Sequence, residues 1–145
     1  MATPYSEIYN MFLEQMTDTD LLDHTEKNRT QLLYGYMIRS CGAFSRLCDI
    51  DLSDRNEISK QFNSDLTESI KDIIVQGMIV EWLKPKYLYN ENLNNVLNTK
   101  DYNMYSSANL LKEIRETYLT AKRDFESMMN KYSFINGNIE NIVNN

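Results

Sequence analysis

The chain has 145 residues, among them 15 Lys and Arg, 21 Asp and Glu, 4 Gly and 2 Pro, and its formal net charge is −6. This length predicts one domain, and 42% hydrophobic with 25% charged residues is typical of a folded globular protein rather than a disordered one. So few glycines and prolines exclude a many-stranded sandwich or barrel. The acidic balance argues against a general nucleic-acid-binding protein, which would carry a basic face.

Neither a membrane span nor a secretory leader is expected. The most apolar stretch, Ile73–Val80, is far shorter than the roughly 20 residues that a span needs. The first residues lead directly into a polar helical pattern, without the charged and apolar regions of a signal peptide. We therefore expect a protein that is made in the cytoplasm and has no contact with a membrane.

The first two helices are predicted from apolar residues spaced three and four apart. One is expected over Pro4–Met16 with Thr3 as its N-cap, and the second over Thr25–Cys48. Gly35 and Gly42 lie inside the second helix, where each costs about 1 kcal/mol of helix propensity relative to Ala. Close packing against another backbone is the predicted reason for both glycines.

The cysteines, the single histidine and the acidic loop are predicted to have structural roles rather than catalytic or metal-binding ones. Cys41 and Cys48 are seven residues apart on one predicted helix, about 10 Å along its axis and too far for a disulfide, so we expect core thiols in a reducing compartment. His24 has no zinc-ligand or catalytic-dyad spacing around it. The acidic loop that starts at Asp49 resembles an EF-hand, but Lys60 occupies the bidentate-ligand position and excludes calcium.

The third helix is predicted over Thr67–Lys84 and is expected to end at Pro85. It is apolar on nearly all sides, which predicts the centre of the fold. Trp82 is expected in this core, and Trp82→Ala should then cost about 3–5 kcal/mol. A shorter helix over Lys86–Leu97 and an Asn-rich loop over residues 98–103 follow.

The last helix is predicted over Ala108–Tyr132 and carries a strict 3.5-residue apolar repeat. The repeat consists of Leu111, Ile114, Tyr118, Ala121, Phe125, Met128 and Tyr132. It predicts core packing by Ile114, Tyr118 and Phe125. The fold class is therefore all-α, a compact bundle of about five helices with a long C-terminal helix and an extended C-terminal tail.

The tail, residues 133–145, differs from the helical domain over residues 1–132. It is rich in Asn, yet it keeps five apolar residues: Phe134, Ile135, Ile139, Ile142 and Val143. Such a segment either frays in the isolated protein or docks on a partner. Charge is also uneven, since residues 1–83 carry 7 basic and 14 acidic residues while residues 84–131 carry 8 and 6. This division indicates either a surface that contacts other copies of the chain or chance.

No catalytic constellation is present in the sequence. It contains no Gly-rich phosphate loop, nucleophile elbow, zinc spacing or dinucleotide fingerprint, and its carboxylates fall on predicted exposed faces. We therefore expect no enzyme activity, no cofactor and no metal.

Several motifs resemble those of short helical proteins from the morphogenesis modules of tailed phages and prophages of Firmicutes. The first is the Tyr-x-x-Ile-Tyr-x-x-Phe-Leu pattern that begins at Tyr5. Leu52–Arg55, Gln61–Thr67, Val80–Pro85 and Lys100–Glu116 match further motifs, and the last two are long enough to be fairly specific. The resemblance covers most of the chain up to about Tyr132, whereas residues 139–145 match no motif.

These proteins are similar to head–tail connector (adaptor) proteins, and the resemblance implies a structural role in the virion neck. It implies a ring of copies, usually twelve, between the portal protein and the head-closure or tail-terminator protein, with DNA passing through the lumen without specific binding. The apolar tail, Phe134, Ile135, Ile139, Ile142 and Val143, is then the predicted portal-binding segment.

Two other classes of function remain open. One is a different virion component, such as a tail-completion or baseplate protein, which would oligomerise without engaging a portal. The other is a small helical regulatory protein that binds DNA. This second class requires a basic recognition helix, and the basic residues between Lys112 and Lys131 are balanced by acidic ones.

Overall fold

A computed structural model describes the backbone of residues 2–16, 25–99 and 105–144, and the side chains of residues 2–16, 25–89 and 112–136. These segments contain four helices and three two-residue strands, joined by turns and loops. The helices are α1 (Tyr5–Glu14), α2 (Glu26–Phe44), α3 (Glu68–Thr99) and α4 (Tyr105–Asn144), and the strands are β1 (Thr3–Pro4), β2 (Arg55–Asn56) and β3 (Gln61–Phe62). The fold is thus mostly helical, as predicted, with four helices in the described segments instead of about five.

The small antiparallel sheet was not expected from the sequence. Its strand order is β1-β3-β2, and Phe62 on the central strand is paired with Thr3 on one side and with Arg55 on the other. Two-residue strands are too short to show an alternating hydrophobic pattern. The sheet ties the start of the chain to the segment between α2 and α3.

Thr3 does not cap α1, which corrects the sequence prediction. The N-cap position is Pro4, without a side-chain hydrogen bond, and Thr3 is a buried residue of β1. Its hydroxyl donates to the Ser64 carbonyl at 3.1 Å and accepts from the Leu66 amide at 2.9 Å. Thr3 therefore connects β1 to the chain that leads into α3.

The start of α2 agrees with the prediction, and its end comes earlier. Thr25 is the N-cap, and its hydroxyl accepts a hydrogen bond from the Asn28 amide at 3.3 Å. The helix ends at Phe44, where the amides of Leu47 and Cys48 both donate to the Phe44 carbonyl. These bonds form a closing turn in place of a further helical turn.

Helix α3 continues through Pro85 to Thr99, so the predicted break between a third and a fourth helix is wrong. Proline at this position removes one backbone donor from the helix. Side chains on both sides of Pro85 make contacts here. The Lys86 ammonium lies 4.0 Å from the centre of the Trp82 ring, and the Tyr87 ring stacks on Tyr118 of α4 at 4.5 Å and 13°.

Helix α4 extends to Asn144, and the expectation of an extended tail after Tyr132 is also wrong. The backbone passes from residue 132 to residue 133 in helical conformation. Asn and Gly are weak helix formers, but the helix is already nucleated upstream, and adding residues to an existing helix is much easier than starting one.

The core is centred on α3, as predicted. Its side chains Ile70, Ile73, Ile74, Val75 and Met78 are all buried, and α1, α2 and α4 each contact this helix. Among the described helices none is both apolar and long enough to cross a membrane.

Gly77 of α3 makes the close contact between helices that the sequence analysis had predicted for Gly35 and Gly42 of α2. A Cβ atom on Gly77 would collide with Ser40 of α2, whereas Gly35 and Gly42 have open space where a Cβ would lie. The prediction for Gly35 and Gly42 is therefore wrong. A Cβ atom at either position would have no neighbouring atom within 4 Å, so packing does not require glycine there.

The predicted core residues fall into two groups. Tyr118 and Phe125 are buried, while Trp82 and Ile114 are half-buried at the edge of the bundle. All described members of the 3.5-residue repeat on α4 are buried or half-buried, which agrees with its prediction as the packing stripe.

Candidate functional site

The C-terminal part of α4 presents two large apolar side chains to solvent, well before the helix ends at Asn144. Phe134 is 69% exposed and Ile135 is 58% exposed. The sequence had predicted both as partner-binding residues. The other three members of that set, Ile139, Ile142 and Val143, lie outside the described side chains.

Tyr132 fixes this end of α4 to the rest of the molecule. Its ring packs edge-on against Phe44 at 5.1 Å, and its hydroxyl donates a hydrogen bond to the Asp49 carboxylate. Burial raises the pKa of Tyr132, and the nearby Asp49 carboxylate raises it further. The exposed pair Phe134 and Ile135 therefore begins two residues beyond an anchored position.

A cleft of about 530 Å³ opens beside this pair. We call it the C-terminal cleft. Three separate parts of the chain line it: the loop after α2, the first turns of α3 and the end of α4. Its apolar walls are Ile50, Ile70, Ile73, Met128 and Ile135, and its charged residues are Asp49, Asp72 and Lys131. Sequence reasoning missed this cleft because no local pattern brings these three parts together.

The segment from β2 to β3 forms a tight hairpin, and we call Glu57–Lys60 the hairpin tip. Ile58 in the tip is 95% exposed, more than any other large apolar side chain that the structure describes. The side chain of Asn56 accepts hydrogen bonds from the amides of Ile58 at 3.0 Å and Ser59 at 3.1 Å. Lys60 has a φ of 56°, the left-handed conformation that glycine normally adopts. The tip is thus held in a defined shape.

Glu57 anchors the base of the tip to the helices. Its carboxylate accepts hydrogen bonds from the hydroxyls of Tyr5 at 3.1 Å and Tyr34 at 2.9 Å, and it lies 3.4 Å from the Arg55 guanidinium. The hydrogen bond from Tyr34 is the main cause that lowers the pKa of Glu57. Burial is the main cause that raises the pKa of Tyr5 to about 12, and the hydrogen bond to Glu57 is the second cause.

A second groove, of about 650 Å³, runs between the hairpin tip, α1 and α2. We call it the tyrosine groove. It is lined by aromatic residues Tyr5, Tyr9 and Tyr34, with Lys27 and Lys60 among its charged residues. The Lys60 ammonium lies 5.8 Å from the centre of the Tyr34 ring. Burial raises the pKa of Tyr9, which agrees with its place in the wall of the groove.

A shallow acidic groove lies between α3 and α4. Its carboxylates are Glu113, Glu116 and Asp124, all exposed. Gln76 of α3 donates to the Ala121 carbonyl of α4 at 3.1 Å and forms part of its floor. This groove has the character of a solvated surface that repels anions.

The cysteines have the environments expected of structural thiols. Cys41 is buried, and its burial raises its pKa to about 12. Cys48 is half-buried and forms no disulfide, and burial raises its pKa as well.

Within the part of the chain that the structure describes, no group of three or more His, Cys, Asp or Glu side chains could hold a metal ion. His24 lies outside the described residues, as do residues 100–103 of the Asn-rich loop that was predicted over residues 98–103. Residues 98 and 99 belong to α3, so the start of that predicted loop is wrong.

Comparisons of the chain with protein-family models, with curated proteins and with solved structures find no match. The motifs noted in the sequence have definite positions in the fold. Leu52–Arg55 and Gln61–Thr67 flank the hairpin tip, and Val80–Pro85 lies in the middle of α3. Two of these motifs therefore surround the most exposed apolar residue described.

Proposed function

We propose that the chain is a structural virion protein, a head–tail connector that forms a ring between the portal and the head-closure or tail-terminator protein. The exposed Phe134 and Ile135 at the anchored end of α4 are the observation that carries this proposal. Contiguous apolar surface of this kind is typical of protein–protein contacts. The motif resemblance to phage connectors supplies the class of partner.

In this proposal the end of α4 is the portal-binding element. The amphipathic character of a helix lets it lay apolar side chains into a groove of a partner. Ile139, Ile142 and Val143 follow Phe134 and Ile135 along the same helix. A helix that is anchored at Tyr132 loses little conformational freedom when it binds.

The lumen of the proposed ring carries DNA without specific contacts. Carboxylates such as Glu113, Glu116 and Asp124 are suited to a channel wall, since like charge keeps phosphates from adhering. The formal net charge of −6 acts in the same direction. The proposed location is the neck of the virion, after assembly in the host cytoplasm.

The test of this function is binding to the portal protein encoded in the same module. We expect full-length chain to co-sediment with portal rings, and a chain lacking residues 134–145 to stay folded yet fail to join them. Folding of the truncated chain is checked by circular dichroism and thermal unfolding. Normal joining by the truncated chain would overturn the portal-binding role of this segment.

A point variant separates the apolar contact from helix length. Phe134→Ser should weaken portal binding, because it removes most of an exposed aromatic surface without shortening α4. Leu88→Ser is the matched control, since Leu88 is 51% exposed on α3 and lines none of the three grooves described above. A full-length chain that ignores the portal in every assay would favour another virion component or a regulatory protein.

A further inference from the structure

The hairpin tip exposes an apolar side chain, and the C-terminal cleft exposes apolar walls. Ile58 is a single apolar side chain that projects from a short turn and is 95% exposed. The cleft is a concave surface of about 530 Å³ whose apolar walls are isoleucine and methionine side chains, with polar and charged residues beside them. We infer that Ile58 of one copy of the chain inserts into the C-terminal cleft of a second copy.

The residue type at Ile58 and the fixed backbone of the tip both favour burial of the tip by a partner. Turn positions favour Gly, Asn, Asp and Ser, and a β-branched residue with an apolar side chain is unusual there. Asn56 holds the amides of Ile58 and Ser59, and the Tyr5 amide donates to the Lys60 carbonyl at 3.0 Å. A turn with this many fixed backbone groups loses little entropy when it is buried by a partner.

The charges beside the two surfaces are also complementary. Lys60 follows Ile58 by two residues and is exposed, and Glu57 immediately precedes Ile58. The cleft carries the exposed Asp72 on α3 and the exposed Lys131 on α4. Asp49 adds a second carboxylate to the cleft, so its lining carries an excess of negative charge that is opposite to the charge of Lys60. Glu57 already bonds Tyr5 and Tyr34 of its own chain, so Lys60 is the charge of the tip that favours this pairing over a neutral apolar partner.

A second copy is the occupant that the structure supports, because it presents an exposed Ile58 for the apolar walls and an exposed Lys60 for the carboxylates of the cleft. None of the described residues of the hairpin tip lines the C-terminal cleft, so the two are distinct patches of one molecule. A contact between different patches is heterologous. An open assembly built from it has one free tip at one end and one free cleft at the other. Such contacts build closed rings when the rotation between copies closes, and filaments when it does not.

This inference deepens the proposed function, because it rests on the ring and supplies its subunit contact. Its test is self-association of the full chain without portal protein, measured by light scattering and sedimentation velocity across a concentration series. We expect assemblies larger than a dimer. Ile58→Asp in the tip and Ile50→Asp in the wall of the cleft should each weaken association by about tenfold or more, since a carboxylate would be buried against apolar walls. Ile50 lies outside the proposed portal-binding element, so this variant separates the two contacts.

Leu88→Asp is the control for a charge added at an exposed apolar position, and it should leave association unchanged. Mixing gives the sharper result. Ile58→Asp retains a native cleft and Ile50→Asp retains a native tip, so an equimolar mixture should form heterodimers that neither variant forms alone. Circular dichroism confirms that each variant is folded.

Cross-linking tests the contact itself. In a Cys48→Ala background, Ile58→Cys combined with Asp72→Cys should give a ladder of disulfide-linked oligomers on mild oxidation, and each single cysteine variant should not. A ladder requires the tip of each copy to meet the cleft of the next.

Four results would overturn the inference: a native chain that stays monomeric at its solubility limit, native association by Ile58→Asp, no heterodimer in the mixture, or dimers alone. Dimers alone would indicate a two-fold contact, such as one through the tyrosine groove beside the tip. Portal binding is a separate readout. A chain that associates through Ile58 but never joins the portal would overturn the proposed function and leave this inference standing.

Discussion

Ser40 on α2 packs directly against Gly77 on α3. The Ser40 hydroxyl donates to the Ile74 carbonyl at 2.7 Å, one turn before Gly77, and occupies the space where a Cβ atom on residue 77 would lie. The Phe125 ring of α4 closes the same space from the other side, 2.7 Å from that Cβ position. Three helices thus converge where α3 has no side chain.

Gly77→Ala is expected to destabilise the fold by about 1–3 kcal/mol, although alanine is the better helix former. The added methyl group would displace Ser40 from its hydrogen bond or push Phe125 out of the core. The free energy of unfolding is measured by urea denaturation. Gly42→Ala is the matched control, because open space surrounds that position, and it should stabilise the protein by about 0.5–1 kcal/mol. Equal effects of the two substitutions would contradict this packing.

Thr3→Val is expected to cost about 1–3 kcal/mol, because valine keeps the shape of threonine but leaves two backbone groups without partners. These are the Leu66 amide and the Ser64 carbonyl, which both bond the Thr3 hydroxyl. Thr30→Val is the control, since its hydroxyl bonds the Glu26 carbonyl at an exposed position. Urea denaturation gives both free energies, and a loss at Thr3 no larger than at Thr30 would refute its role.

Trp82→Ala is expected to cost about 1–2 kcal/mol, less than the sequence alone predicted. Trp82 is half-buried and covered in part by the Lys86 ammonium, so truncation exposes the site to water instead of leaving a sealed cavity. Phe44→Ala is the comparison in the fully buried core and should cost about 3–5 kcal/mol. Thermal and urea unfolding give both values. A larger loss at Trp82 than at Phe44 would contradict these positions.

The contacts of Glu57 make stability depend on pH at both ends of the range. Its pKa is lowered in the folded protein, so its contribution is present above the unfolded pKa of about 4.5 and is lost as pH falls through the folded pKa. The pKa of Tyr5 is raised to about 12, so its contribution is present below the unfolded pKa of about 10 and is lost as pH rises toward 12.

Glu57→Gln should therefore flatten the dependence of unfolding free energy on pH below about 4.5, because glutamine does not titrate. It should also reduce the loss of stability above about pH 10. Burial still raises the pKa of Tyr5, but the carboxylate that raises it further, and that is the main cause of the raised pKa of Tyr34, is gone. Glu14→Gln, at the exposed end of α1, is the control. Identical pH profiles for native protein and Glu57→Gln would exclude this network as a contributor.

The candidate sites were predictable to different degrees. The apolar residues near the end of α4 stand out in a polar, Asn-rich segment, and Phe134 and Ile135 are indeed exposed. Ile58 carries no comparable signal, because one isoleucine in a polar loop is ordinary in a sequence. Its importance depends on the hairpin that Asn56 and Lys60 stabilise, and that hairpin depends on pairing of β3 with β1 from the start of the chain.

The sequence by itself determined the helical class, the start of α2 near Thr25, the apolar stripe of α4 and the central position of α3. These are consequences of local periodicity and capping, which act between residues a few positions apart. Only the tertiary structure decided that α3 continues through Pro85, that Gly77 is the point of close approach, and that the cleft forms beside Ile135. Each depends on contacts between distant parts of the chain, whose energies outweigh local preferences once the core is packed.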